Sequence, residues 1–199
     1  MIFLSSLTIA KHSISIINNN NIEYVYDSSN FGTLFDVRSP YKFQPDGTIY
    51  GKSTSYVDLL SIKNFRVPAK IIGIISQPSG DGYDWSGLKV VSSRDDQYIL
   101  LLIDPENPVY PHGIYYSYTL NGLHEHKYFS NSAQANTFYN FIIEISKNNV
   151  RLEIPELDFD YNITVSATMN LIKVGITTDD KIVLKELKVR YIPVQTCVL

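Results

Sequence analysis

Apolar and polar residues alternate with period two in short bursts along this chain, and that alternation restricts the possible folds more than any other feature. In the segment 138–147, Tyr139 and Phe141 share one parity while Asn140 and Glu144 share the other. Successive side chains of a β-strand point to opposite faces, so such a segment has one core face and one solvent face. Helical periodicity is almost absent. The sequence therefore predicts an all-β fold of short antiparallel strands.

Turn residues separate these bursts and predict hairpins. Asn121-Gly122 is the strongest short hairpin signal, and it is predicted to join strands at 113–120 and 123–129. Asp95-Asp96 and Asn148-Asn149 predict two further hairpins. Additional strands are predicted at 22–26, 33–37, 47–52, 55–62, 69–76, 88–93 and 97–103.

The C-terminal part predicts a last hairpin, in which 171–177 pairs with 182–192 across the turn 178–180. Within the second of these strands the apolar parity changes. One extra residue in a strand has this effect, so the sequence predicts a β-bulge near Lys185-Glu186.

Length and composition are those of a globular protein with a packed core. The 199 residues are 44% hydrophobic and 19% charged. Neither an internal repeat nor a shift in composition marks a linker, so we expect one domain over 1–199, in which 1–21 forms a first strand and an Asn-rich loop. Cys197 is the single cysteine, which excludes an intrachain disulfide.

Charge and hydropathy exclude two classes of partner. The net charge is −3 and basic residues occur at most in isolated pairs, so we expect no nucleic acid. No apolar run approaches the roughly 20 residues that span a bilayer, so we expect no membrane insertion. The segment Met1–Ala10 lacks the basic leader of a signal peptide. A cell-surface, extracellular or virion location is expected, without a signal peptide in this chain.

Residues 65–192 resemble the concanavalin A-like lectin/glucanase superfamily, which includes laminin-G-like modules. The segments that carry the resemblance are Phe65-Arg-Val-Pro-Ala-Lys-Ile-Ile, Gly87-Leu-Lys-Val-Val, Tyr98-Ile-Leu-Leu-Leu-Ile, Phe138-Tyr-Asn-Phe-Ile-Ile-Glu-Ile, Asn149-Val-Arg-Leu-Glu-Ile, Lys173-Val-Gly-Ile and 182–192. The resemblance implies an antiparallel β-sandwich of jelly-roll type. Its members include lectins, adhesion modules, glucan hydrolases and domains of phage tails and microbial adhesins, so it also implies carbohydrate recognition.

Three acidic residues are the candidate catalytic group. Glu156, Asp158 and Asp160 differ by one residue from the Glu-x-Asp-x-Glu pattern of laminarinase-type hydrolases in this superfamily. Strand alternation would place the three on one face, where paired carboxylates can cleave a glycosidic bond. However, the motif follows Pro155, lies late in the chain and ends in aspartate. We therefore expect the chain not to be an enzyme, and keep glucan hydrolysis by these acids as a third hypothesis.

Metal ligation has weak support in the sequence. The acids of 156–160, or Asp179-Asp180, could bind Ca²⁺, but no spaced Asp/Asn loop accompanies them. His112, His124 and His126 could bind zinc, but no fourth ligand is indicated. We expect no cofactor, with Ca²⁺ left open.

Aromatic residues supply the candidate binding site. The predicted ligand-binding residues are Tyr83, Asp84, Trp85, Tyr110, His112 and Tyr116. Aromatic faces stack on sugar rings, and Trp85 lies in a Gly-rich loop where exposure is expected. The alternative interpretation is that these tyrosines fill the sandwich and direct only their hydroxyls to water.

The function predicted from the sequence is recognition or adhesion by a non-catalytic module that binds a cell-surface glycan. A second hypothesis is a structural component of a virion, phage tail or head, whose partner is another protein held by the sandwich. Both hypotheses are compatible with a homo-oligomer or a larger assembly.

Overall fold

The structure is a computed structural model that describes residues 13–17, 21–79, 85–94, 96–106, 113–130, 132–166 and 169–191. Strand makes up 61% and helix 4% of the structure, so the all-β prediction is confirmed. No helix in the described ranges is long and apolar enough to span a bilayer.

The strands within the described residues are β1 (Ser13–Ile17), β2 (Asn21–Tyr26), β3 (Tyr41–Phe43), β4 (Ile49–Lys52), β5 (Val57–Leu60), β6 (Phe65–Arg66), β7 (Ala69–Ser76), β8 (Ser86–Ser92), β9 (Tyr98–Asp104), β10 (Gly113–Leu120), β11 (Leu123–Phe129), β12 (Phe138–Ile145), β13 (Asn149–Ile154), β14 (Phe159–Thr164), β15 (Leu171–Thr178) and β16 (Lys181–Tyr191).

These strands form two antiparallel sheets. The nine-stranded sheet has the order β1-β2-β16-β7-β12-β13-β14, with β3 and β4 continuing from β16. The seven-stranded sheet has the order β11-β10-β9-β8-β15-β5, with β6 also paired to β15. The inner faces enclose one apolar core, in which Phe141 and Ile71 of the first sheet and Leu88 and Ile99 of the second are fully buried. The predicted antiparallel β-sandwich is confirmed.

Local turn chemistry explains the parts of the chain that match the sequence prediction. Asn121 and Gly122 both adopt positive φ, 51° and 79°, as a two-residue type I′ hairpin requires. The pairing of β16 with β7 shifts between Leu184 and Glu186, which is the predicted bulge.

The predicted hairpin between 171–177 and 182–192 is wrong. Strands β15 and β16 lie in opposite sheets, and the segment between them carries the chain across. The backbone N–H of Asp180 donates to Thr178 Oγ1 at 3.1 Å, and Thr178 Oγ1 lies 2.6 Å from Ser86 Oγ. A turn signal shows that the chain reverses but not which sheet receives the next strand.

The predicted strand at 33–37 is also wrong, since Phe31–Thr33 forms a 3-10 helix and only Phe35 makes a bridge. Phe31, Leu34 and Phe35 are all buried. Their spacing of three and four residues is helical, so one face of a helical turn buries all three.

Two glycines lie where neighbouring strands approach closely in the seven-stranded sheet. A Cβ atom added at Gly175, in the middle of β15, would lie 1.9 Å from the carbonyl oxygen of Leu59. At Gly87 of β8 it would lie 2.2 Å from the carbonyl oxygen of Leu101. Both contacts are with backbone, which a side-chain rearrangement cannot relieve.

Candidate functional site

The outer face of the seven-stranded sheet carries a continuous group of aromatic and polar side chains, which we call the aromatic face. Strand alternation and register place its members on the side away from the core. The aromatic face consists of Tyr56, Asp58, Trp85, Lys89, Tyr98, Tyr115, Ser117, His124, His126, Tyr128 and Asp179.

Three rings form the centre of the aromatic face. Tyr115 and Tyr128 are directly opposite each other on β10 and β11, with ring centroids 4.8 Å apart. The Trp85 ring lies 5.4 Å from Tyr115 and 5.7 Å from Tyr128. Trp85 is only 8% exposed, whereas Tyr128 is 42% exposed. Tyr128 therefore presents the accessible ring, and Trp85 supports it.

Backbone pairing holds Trp85 in this position. The N–H of Trp85 donates to Asp179 Oδ1 at 2.6 Å, and the N–H of Asp179 donates to the Trp85 carbonyl at 3.3 Å. These bonds continue the β8–β15 pairing beyond the strand ends. Partial burial, the negative charge of Asp179 and a hydrogen bond to its carboxylate raise the pKa of Tyr56, so this hydroxyl stays protonated at neutral pH.

Polar groups lie beside the rings. Lys89 Nζ is 2.5 Å from Asp58 Oδ2 and 5.9 Å from the centroid of the Tyr98 ring. His124 Nδ1 lies 3.0 Å from Thr119 Oγ1, and the His124 and His126 rings are 5.8 Å apart. The aromatic face thus combines apolar ring surfaces with fixed hydrogen-bonding groups, as small-molecule sites do.

Two carboxylates of the aromatic face are diagonal neighbours. Asp58 lies opposite Thr177, and Asp179 is two residues farther along the chain, on the same side. Diagonal positions in an antiparallel pair are about 7–8 Å apart. Inverting glycosidases use two carboxyl groups about 6.5–9.5 Å apart, so Asp58 and Asp179 are the neighbouring acids of the aromatic face at which glycoside cleavage can be tested.

Two of the six predicted ligand-binding residues lie within the described ranges, and of these Trp85 is on the aromatic face. Its expected exposure is corrected, because Trp85 is buried and its ring lies against Tyr115 and Tyr128. The assignment of Tyr116 is also corrected, since Tyr116 points into the sandwich and is fully buried. The remaining four, Tyr83, Asp84, Tyr110 and His112, lie outside the described residues.

Tyr116 belongs to a polar cluster between the sheet edges β11 and β14. Glu125 accepts hydrogen bonds from Tyr118 at 2.9 Å and from Tyr116 at 3.2 Å. Lys127 Nζ lies 2.5 Å from Tyr161 Oη and 3.4 Å from Glu125 Oε1. The hydrogen bond from Tyr118 is the main cause of the lowered pKa of Glu125. These contacts join the edges of the two sheets.

Sequence reasoning missed Tyr128 and Asp58, and it considered His126 only as a zinc ligand. The positions of Tyr128 and His126 follow from the Asn121-Gly122 hairpin, because a two-residue turn fixes the register and places Tyr115 opposite Tyr128. Asp58 could not be found in this way, since the pairing of β5 with β15 joins residues more than a hundred positions apart.

The three candidate catalytic acids do not share a strand face. Glu156 lies in a 3-10 helix, Asp158 adopts the left-handed conformation, and only Asp160 is in a strand. The Glu156 carboxylate accepts hydrogen bonds from Asn140, and Asp160 is 2.7 Å from the Arg151 guanidinium. Pro155 begins the helical turn, which interrupts the alternation that the prediction assumed.

Within the described ranges, no group of three or more histidine, cysteine, aspartate or glutamate residues has a metal-binding arrangement. His112 of the candidate zinc group lies outside those ranges. His124 and His126 instead lie among the rings of the aromatic face.

No family model matches the sequence, and a comparison with curated proteins finds no similar sequence. Several solved structures have a similar fold. The Crh5 transglycosylase in complex with NAG has a TM-score of 0.67 and 12% identity, over 86% of this chain and 84% of that chain. The carbohydrate-binding module CBM66 from Bacillus subtilis has a TM-score of 0.58 and 16% identity, over 74% of this chain and 89% of that module. The laminarinase from Rhodothermus marinus has a TM-score of 0.59 and 9% identity, over 84% of this chain and 95% of that enzyme.

These comparisons correct the prediction that the chain is not an enzyme. Most of the similar structures are glucanases or glycosidases, including a β-glucanase from Bacillus licheniformis and a laminarinase from Flavobacterium. A fold shared mainly with hydrolases gives no basis for excluding catalysis. At these sequence identities the fold is the shared property, and this chain has the concanavalin A-like jelly-roll fold.

Proposed function

We propose that this chain binds carbohydrate on the aromatic face. The observation that carries the proposal is the contact between Trp85, Tyr115 and the exposed Tyr128, beside the Asp58–Lys89 ion pair. A sugar ring has an apolar C–H face and a rim of hydroxyls. The C–H face stacks on an aromatic ring, and the hydroxyls can donate hydrogen bonds to a carboxylate or accept them from an ammonium group beside that ring.

The similar structures support a carbohydrate ligand and suggest probes. They include a carbohydrate-binding module, laminarinases and a transglycosylase in complex with NAG. Short laminarin oligosaccharides and oligomers of N-acetylglucosamine are therefore the first ligands to test.

Replacement of Tyr128 by alanine is expected to weaken oligosaccharide binding about thirtyfold, corresponding to about 2 kcal/mol for the loss of one aromatic anchor. The thermal midpoint should change little, because this ring is 42% exposed. Titration calorimetry with both probes, together with a melting curve, measures the two effects.

Phe43→Ala is the matched control, since Phe43 is 48% exposed but lies on β3 of the other sheet. It should leave binding unchanged. If Tyr128→Ala binds the oligosaccharides as tightly as the parent, the aromatic face is not the binding site. If the parent binds neither probe nor a wider glycan array, the proposal of a carbohydrate ligand is wrong.

A second candidate function is hydrolysis of the bound glycan, favoured by the neighbouring positions of Asp58 and Asp179 on the aromatic face. One carboxyl group would protonate the leaving oxygen and the other would activate water. Release of reducing ends from laminarin should then fall by at least about a hundredfold in Asp179→Asn, because general acid–base catalysis contributes roughly 10²–10⁴-fold. Asparagine retains an oxygen that can accept the Trp85 N–H.

Glu156→Gln distinguishes this site from the acids predicted by the sequence. Turnover that persists in Glu156→Gln and disappears in Asp179→Asn supports the Asp58–Asp179 pair. Turnover that disappears only in Glu156→Gln assigns hydrolysis to the other sheet. A parent protein that binds glycans without releasing reducing ends eliminates the second candidate and leaves the first intact.

A further inference from the structure

One row of side chains crosses five strands on the outer face of the nine-stranded sheet, opposite the aromatic face. Strand register pairs Phe138 of β12 with Ser76 of β7, and Ser76 with Val183 of β16. Val183 is in turn paired with Tyr50 of β4, and Tyr50 with Lys42 of β3. Neighbouring strands are about 4.8 Å apart, so the rings of Phe138 and Tyr50 are separated by three strand spacings, about 14 Å. The small side chains between them form a floor.

The row is the base of an open groove of about 760 Å³. Its walls come from the turn after β3, with Gln44 and Asp46, and from the segment before β12, with Asn136. This volume is within the range of small-molecule sites, about 300–1,000 Å³. The lining thus offers amide and hydroxyl groups around an apolar floor, at a place that shares no residue with the aromatic face.

A lysine lies over each of the two rings. Lys42 Nζ is 5.6 Å from the Tyr50 centroid, and Lys185 Nζ is 5.6 Å from the Phe138 centroid. Both lysines are exposed, and neither forms an ion pair with a residue in the described ranges. The one lining carboxylate, Asp46, accepts hydrogen bonds from the backbone and hydroxyl of Thr48. Each end of the groove therefore has a lysine ammonium group beside an aromatic ring, and the carboxylate of Asp46 lies in the wall.

We propose that this groove is a second binding site and that its ligand is an acidic oligosaccharide, with uronic acid residues or equivalent carboxylated sugars. The apolar faces of two sugar residues would pack on Phe138 and Tyr50, and their carboxylates would pair with Lys185 and Lys42. A neutral glycan could form no ion pair with either ammonium group, so we expect the groove to favour anionic ligands. The proposal is independent of the function assigned to the aromatic face.

The test uses an oligogalacturonate of four to six residues as the acidic probe and a neutral galacto-oligosaccharide of equal length. Titration calorimetry at low and physiological salt is expected to show binding of the acidic probe, weakened by salt, and at least tenfold weaker binding of the neutral one. The double variant Lys42→Gln/Lys185→Gln should lose at least tenfold in affinity for the acidic probe. Phe138→Ala should also weaken binding of the acidic probe.

Two control variants establish whether binding of the acidic probe occurs in the groove. Lys147→Gln removes an exposed lysine at the far end of β12 and should have no effect. Tyr128→Ala, which alters only the aromatic face, should bind the acidic probe like the parent. The proposal is overturned if the parent does not bind the oligogalacturonate, if the double glutamine variant binds it as the parent does, or if Tyr128→Ala abolishes that binding.

Discussion

Gly175→Ala is expected to lower the free energy of unfolding by about 3 kcal/mol, the upper end of the usual cost of overpacking. The added Cβ would lie 1.9 Å from the carbonyl oxygen of Leu59, and the nearest atoms are all backbone of β5. Relief requires the edge strand β5 to move away from β15, with which it is paired. Urea unfolding followed by tryptophan fluorescence and circular dichroism measures the loss.

Gly32→Ala is the matched control. Gly32 has nothing within 4 Å of its added Cβ, and it is not among the glycines with positive φ. The free energy of unfolding of this variant should lie within about 0.5 kcal/mol of the parent value. Equal unfolding midpoints for the two variants would show that β5 and β15 tolerate a side chain between them, contrary to the close approach of Gly175 to Leu59.

Phe141→Ala is expected to destabilise the protein by about 3–5 kcal/mol, the usual cost of removing a buried aromatic side chain and leaving a cavity. Phe141 is fully buried on the inner face of β12, which is paired on both sides, by β7 and β13. Few neighbours can move to fill the space. The measurement is again the free energy of unfolding in urea.

The same strand contains the control. Phe138 is on β12 with the opposite parity, and it is 40% exposed. Phe138→Ala removes the same type of side chain from the outer face and should lower the free energy of unfolding by less than about 1 kcal/mol. If the two variants were equally destabilised, the assignment of inner and outer faces along β12 would be wrong.

Local sequence signals correctly predicted those strands and turns that are determined by residues close together in the sequence. The strands 69–76, 113–120 and 123–129 have the predicted bounds, because alternation and a two-residue turn act within a few positions. The segment 33–37 was wrong, since helical and strand spacing are hard to distinguish in a short apolar run. The placement of β15 and β16 in opposite sheets depends on pairings between strands that are distant in sequence, of β15 with β8 and of β16 with β7.

The candidate site shows the same division. Trp85 could be singled out as the one tryptophan in a Gly-rich segment, but its ring contacts depend on β10 and β11, and its backbone depends on Asp179. Tyr116 was predicted to bind ligand but points inward, because a hairpin pattern gives alternation without stating which parity is inward. The groove of the nine-stranded sheet is built from five strands, of which only β3 and β4 are consecutive along the chain, so no local motif indicates it.

The position of β16 has a consequence for how the chain folds during synthesis. β16 lies between β7 on one side and β2 with β4 on the other, and its Arg190 pairs with Glu23, 167 residues earlier. Folding slows as contacting residues become more distant in sequence, and sandwiches of this kind fold in milliseconds to seconds. Until 181–191 has left the ribosome, one edge of the apolar β7 segment, Ala69-Lys-Ile-Ile-Gly-Ile-Ile-Ser, has no strand to pair with. An apolar strand with an unpaired edge is a template for association between chains, so aggregation of nascent or C-terminally truncated chains should begin at β7.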